Sequence, residues 1–177
     1  MKITEALIVE HTVFTTLFDQ IERVLPELGA LAEVKLLAAL VEGLLHSHGG
    51  KEDSLAYLAL DHVLEEQGEL TRLHHDHQEI DARLEQVRAA SDLEEARRLL
   101  KAALLASREH FHREERTAFP LIERKLQSET LTELGNALKQ GATAPGPIPQ
   151  RQRGKSLSVR RVAPVEASSQ QIAGAGG

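Results

Sequence analysis

The sequence predicts an all-α fold, an up-down-up-down four-helix bundle followed by a disordered C-terminal tail. Three observations predict it. Up to about residue 140 the chain is rich in Leu, Ala, Glu, Arg and Lys, its apolar residues recur at spacings of three and four, and nothing alternates like a strand. With 177 residues and 41% apolar content there is material for one domain with a real core. The breaks between helical stretches are short, so successive helices are expected to run antiparallel.

The first helix is expected over about 3–25, with Leu7, His11, Phe14, Phe18, Ile21 and Leu25 on one stripe. Leu25-Pro26 through Gly29 ends it. The second, about 30–60, carries Val34, Leu37, Val41, Leu44, His48, Glu52 and Leu55 on its apolar face, and a break follows around Asp61 to Gly68. The third, about 67–90, carries Leu70, Leu73, His77, Ile80, Leu84 and Val87. Ala90-Ser91-Asp92 then interrupts the pattern, with Ser91 or Asp92 as an N-cap. The fourth helix, about 92–127, carries Leu100, Ala103, Ser107, His110, Glu114, Ala118 and Leu121, and a short fifth is expected near 129–140. From Gly141 the composition turns to Pro, Gly, Ser and Ala without helical periodicity, too little apolar surface to fold. The chain therefore divides into a bundle, 1–140, and a disordered tail, 141–177. Arg151, Arg153, Lys155, Arg160 and Arg161 make the tail locally basic, as a solvated linker or as a contact for an acidic protein or surface.

Composition narrows the chemistry. Lys and Arg total 21 against 27 Asp and Glu, a net charge of −6, which argues against general nucleic-acid binding because phosphate recognition needs a basic footprint. There is no Cys, so thiolate zinc, iron–sulfur clusters, disulfides and thiol nucleophiles are excluded, and any metal must sit on nitrogen and oxygen. The N-terminus lacks a signal-peptide pattern and no stretch approaches a membrane helix, so a soluble, cytoplasmic protein is expected. Nine His stand beside only four Phe, one Tyr and no Trp. An ordinary helical domain does not require that bias.

The two halves repeat one another. Glu10-His11-x-x-Phe14 and His48-x-x-x-Glu52-Asp53-x-x-Ala56-Tyr57 are matched by Asp76-His77-x-x-Ile80 and His110-x-x-x-Glu114-Glu115-x-x-Ala118-Phe119. Each helix offers one histidine on its apolar stripe, and the two even helices add a carboxylate one turn on. A single His-x-x-x-Glu is ordinary surface chemistry, and a lone core histidine is more often hydrogen-bonded than a ligand. Here four histidines and two glutamates coincide. Ionised glutamates in a core cost several kcal/mol each unless compensated, and a pair of cations would compensate both, with carboxylates bridging and imidazoles capping. His74, one turn before His77, is a less certain fifth imidazole. His46, His62, His75 and His112 are read as surface residues, although His46 rivals His48 because Gly49-Gly50 lies inside the second helix and costs on the order of 2 kcal/mol there. Glu10, Asp53, Asp76 and Glu115 adjoin the candidates at helix angles that suit solvated caps or partners of the ligating side chains.

These residues resemble the hemerythrin-like, or His-His-Glu cation-binding, family. Glu10-His11 and Asp76-His77 are similar to its acidic-His elements, and the stretches from His48 to Asp53 and from His110 to Phe119-Pro120 are similar to its paired His-x-x-x-Glu elements, over about residues 3–127. The resemblance implies a four-helix bundle around a non-haem di-iron centre, two iron ions with other divalent cations as alternatives. His11, His48, His77 and His110 would be terminal ligands and Glu52 and Glu114 bridges. The oxygen carriers of the family bear a His-x-x-x-His pair on the third helix. Here Leu73 lies four residues before His77, so metal binding is implied more directly than reversible oxygen carriage.

The leading expectation is a protein that binds or senses a small diatomic ligand or peroxide (dioxygen, nitric oxide, hydrogen peroxide) at that centre. No catalytic apparatus beyond the metal is visible. The alternative is a di-iron peroxidase or oxidase using the same ligands. The third is a structural bundle, with or without a zinc staple.

Overall fold

The computed structural model describes residues 1–61 and 68–140, and every regular element among them is helical. α1 runs Ile3–Val24 and closes through a 3-10 turn, Leu25–Glu27, in which Pro26 sits where no helical N–H is needed. α2 spans Leu31–Lys51, continues as a π turn over Glu52–Tyr57 and resumes as α3, Leu58–Asp61. α4 is Gly68–Ala89. α5, Leu93–Arg113, passes through a second π turn, Glu114–Ala118, into α6, Phe119–Lys125, and α7 is Ser128–Lys139.

Local chemistry accounts for the starts. Glu5 and Glu33 each reach back three residues, accepting from the Lys2 N–H at 2.9 Å and the Ala30 N–H at 3.0 Å. Asp92 is the cap that α5 uses, accepting from the N–H groups of Glu94 at 2.7 Å and Glu95 at 3.2 Å.

α4 packs on α5 and α2, α2 on α5, and α1 on α5 and α7. The side chains they bury form two apolar clusters. One gathers Phe14, Phe18, Ile21, Val34, Val41, Ile80, Leu84, Val87, Leu100 and Phe111 among others; the second gathers Ile3, Leu7, Ala56, Tyr57, Leu73, Ala118, Phe119, Ile122 and Leu131. On α1, His11 lies between Leu7 of one cluster and Phe14 of the other; on α4, His77 lies between Leu73 and Ile80. The polar candidates thus form a layer between two apolar ends.

The stripes read from sequence are buried or half-buried, with one clear exception. Leu44 is 43% exposed, whereas Leu45 packs against the first cluster. Both lie within one turn of Val41 and His48, so spacing alone does not separate them, and Leu36 and Leu40 continue the exposed line that Leu44 belongs to. Residues 62–67 of the expected break, His62 among them, the Leu70 side chain and the tail 141–177 lie outside the described residues. No helix among the described residues is long and apolar enough to cross a membrane.

Candidate metal centre

Four helices deliver six donors to one place. α1 carries His11, α2 carries His48, α4 carries His77 and α5 carries His110, while Glu52 and Glu114 each open a π turn. In those turns the N–H of Leu58 bonds the Asp53 carbonyl and the N–H of Phe119 the Glu114 carbonyl, five residues back. The wider turn brings residues five apart onto one face. Glu52 and Tyr57 are therefore both buried, as are Glu114 and Phe119. On an α-helical path, Tyr57 and Phe119 would rotate away from the face that the glutamates use.

The donors form two groups that share both carboxylates: His11, His48, Glu52 and Glu114, and Glu52, His77, His110 and Glu114. Within each group one ligand atom per residue lies within 4.8 Å of every other. The Nε2 atoms of His11 and His48 are 3.0 Å apart, and those of His77 and His110 are 2.9 Å apart. Glu52 Oε1 stands 3.0 Å from His48 Nε2, Glu52 Oε2 3.5 Å from His77 Nε2, and Glu114 Oε2 3.3 Å from His11 Nε2 and 3.4 Å from His110 Nε2.

The outer nitrogens meet acidic side chains from other helices. Glu10 Oε2 lies 2.8 Å from His48 Nδ1, and Asp76 Oδ2 3.4 Å from His110 Nδ1; Glu115 Oε1 lies 2.9 Å from His11 Nδ1, and Asp53 Oδ1 4.0 Å from His77 Nδ1. The pattern repeats between halves: Glu10 beside His11 serves His48, and Asp76 beside His77 serves His110. Lys51 donates to Glu10 at 2.7 Å, and Arg113 donates to Asp76 in the matching place. A carboxylate only accepts, so a hydrogen-bonded Nδ1 carries the proton and a neutral ring turns its Nε2 lone pair inward.

Residues 2–134 match the hemerythrin HHE cation binding domain. The chain belongs to the hemerythrin HHE cation-binding family. No curated protein and no solved structure matches it.

Whether the donors of this HHE domain fit a cation is tested by their unsatisfied atoms. Both carboxylate oxygens of Glu52 and Oε2 of Glu114 are buried and accept no hydrogen bond. Orphaned carboxylate oxygens at the centre of four imidazoles are what a cation-binding layer leaves when only protein atoms are counted, and the nitrogen and oxygen donors suit a non-haem transition metal. The donor set fits.

The electrostatics carry the same message. Burial opposes a charge on His11 and His48, but Glu114 and Glu52 outweigh it at His11, holding it at about 10, and Glu52 with Glu10 holds His48 at about 9. Burial also opposes charge on Glu52, yet His48, His11 and His77 keep it well below the usual carboxylate range. Burial and the Glu52 charge push Glu114 up to about 8, and burial and the His77 charge push His110 down to about 4. In the metal-free chain, protons on His11 and His48 balance the Glu52 charge, in the place a cation would take.

The other histidines stand apart. His74 is 49% exposed, with its Nε2 3.3 Å from Asp53 Oδ1, outside both donor groups. His46, the rival of His48, is exposed and lies 3.0 Å from Asp81 Oδ1, and His75 and His112 are exposed. Two residues were not anticipated in the parts they play. The Tyr57 hydroxyl donates to Glu114 Oε1 in the interior, a role for which the only sequence signal is the aromatic repeated five residues after each glutamate. Gly49 sits against His77, and a Cβ there would come within 3.3 Å of the ring. Gly49 thus lies inside a continuous α2 and lets it approach the His77 ring closely.

Proposed function

We propose that this chain holds two iron ions, one at His11 and His48, one at His77 and His110, with Glu52 and Glu114 shared between them, and that it binds or senses dioxygen, nitric oxide or peroxide there. The observation that carries the reading is the set of orphaned oxygens on Glu52 and Glu114 between two inward-facing imidazole pairs. Family membership supports iron as the cation. Iron of this kind supplies a redox couple and an affinity for small oxygen or nitrogen ligands when bound.

The chain's own residues orient and insulate. Glu10, Glu115 and Asp76 fix the histidine rings through Nδ1, so each Nε2 faces inward. Tyr57 holds one oxygen of Glu114 and leaves the other to the cluster. The apolar clusters on either side keep bulk water from the layer. The up-down-up-down arrangement belongs to the same reading, supported by the short turns after α1 and α4 and by the packing of α4 on α5.

Elemental analysis of protein from iron-replete cells tests the proposal. Two irons per chain are expected, falling well below that in Glu52→Ala or His110→Ala and unchanged in His112→Ala. Equal iron in all of them contradicts the ligand set. The anaerobically reduced protein should take up nitric oxide stoichiometrically without repeated consumption of peroxide; sustained turnover would make it an enzyme instead.

A further inference from the structure

The two halves differ at the residue that follows each motif histidine. After His110 comes Phe111, and after His48 comes Gly49. Phe111 lies over His11, with ring centroids 4.1 Å apart and planes 14° apart, and stands edge-on to His48 at 5.6 Å. Phe14 and Phe18 back it at 6.0 and 6.2 Å. His11 is sealed, with 2% of its side chain exposed. At the matching place Gly49 faces His77, its would-be Cβ 3.3 Å from Cε1 and 3.5 Å from Nδ1, which leaves no room for a ring. His77 is 21% exposed, while the other five donors are exposed by 2% or less.

A pocket of about 250 Å³ lies beside this glycine, lined by Gly49, Gly50, Ile80 and Phe111 and reaching His48, His77 and His110. The pocket on the opposite side, about 280 Å³, meets a single donor, His11, whose Nδ1 is already engaged by Glu115. The first pocket has an apolar inner wall, Leu45, Ile80 and Phe111, and an acidic rim, Asp53 and Asp81, with His46 beside Asp81. An acidic rim repels small anions, and an apolar wall favours an uncharged guest. The volume is below that of sites for drug-sized ligands and is several times the ~30 Å³ share of a water molecule.

The geometry points to the Gly49 gap as the door to the centre among the described residues: a small uncharged molecule of two to four atoms enters between α2 and α4 and meets the donors from the His77–His110 side, while Phe111 lies over His11 on the other. The metal reading above supplies what the molecule binds; the access route is a property of the polypeptide alone.

Two measurements test the door. In metal-free protein treated with diethyl pyrocarbonate and mapped by mass spectrometry, His77 should be modified, and Leu45→Trp, which fills the pocket from its wall, should protect it. In iron-loaded, reduced protein, nitric oxide association followed by stopped flow should slow about tenfold in Leu45→Trp with iron content retained, and slow to a lesser degree in Gly49→Ala. Equal labelling of His77 in the parent and in Leu45→Trp, or an unchanged association rate in an iron-replete Leu45→Trp protein, overturns the proposal. Wild-type protein without iron contradicts the metal reading instead, and the labelling still decides the route.

Discussion

At the scale of single residues, the partners that orient the histidines matter as much as the histidines themselves. Glu10 belongs by sequence to His11 yet serves His48, and its carboxyl is held below the usual range, chiefly by that hydrogen bond. Such crossings link different helices, so spacing along one helix has no access to them. That is why Glu10 and Asp76 were legible only as acidic neighbours of the candidate histidines. Glu10→Gln keeps the size of the side chain but offers an amide donor or a weaker acceptor to His48 Nδ1. Iron affinity is expected to fall about 10–100-fold, measured by competition with a chelator, with little change in fold. An unchanged affinity would mean that Glu10 is merely a solvated neighbour.

At the scale of elements, the helices and their buried stripes were readable because period and capping act locally: α1 and the 3-10 turn that closes it keep all six anticipated stripe residues buried, and Asp92 caps α5. The π turns were not readable. An extra residue per turn is stabilised by what the turn presents to its neighbours, and the only trace in sequence is the aromatic five residues after each glutamate. Leu45 replacing Leu44 shows the same limit, since a helix with leucines on two faces has two defensible stripes. α7 is placed by a contact that no periodicity encodes. A Cβ on Gly135 would come within 2.3 Å of the Met1 carbonyl oxygen and 2.9 Å of the Lys2 carbonyl carbon, backbone atoms that cannot turn aside. Gly135→Ala is therefore expected to lower stability by about 1–3 kcal/mol in chemical denaturation while iron binding persists. No loss of stability would show that α7 approaches α1 less closely.

At the scale of the molecule, a charged layer between two apolar clusters ties folding to what fills the layer. In the metal-free protein His11 at about 10, His48 at about 9 and Glu114 at about 8 bind protons more tightly than in an unfolded chain, where the ordinary values are 6.5 for His and 4.5 for Glu. The stability these groups lend is complete below those ordinary values and is lost as pH rises through 8 to 10. His110, near 4, has the opposite sign: its contribution is complete above 6.5 and is lost as pH falls through 4. The melting temperature of metal-free protein should therefore decline from pH 7 to pH 10 by calorimetry, and iron should remove the decline because it takes the deprotonated donors. A metal-free melting temperature that rises over that range contradicts the charge balance described.

Anomalous diffraction from crystals of iron-loaded protein, collected on both sides of the iron edge, reads directly where the metal sits. Two iron peaks are predicted inside the ring of donors, one against His11 and His48, one against His77 and His110, with Glu52 and Glu114 between them. A single peak, or iron bound only at exposed carboxylates, would contradict the account.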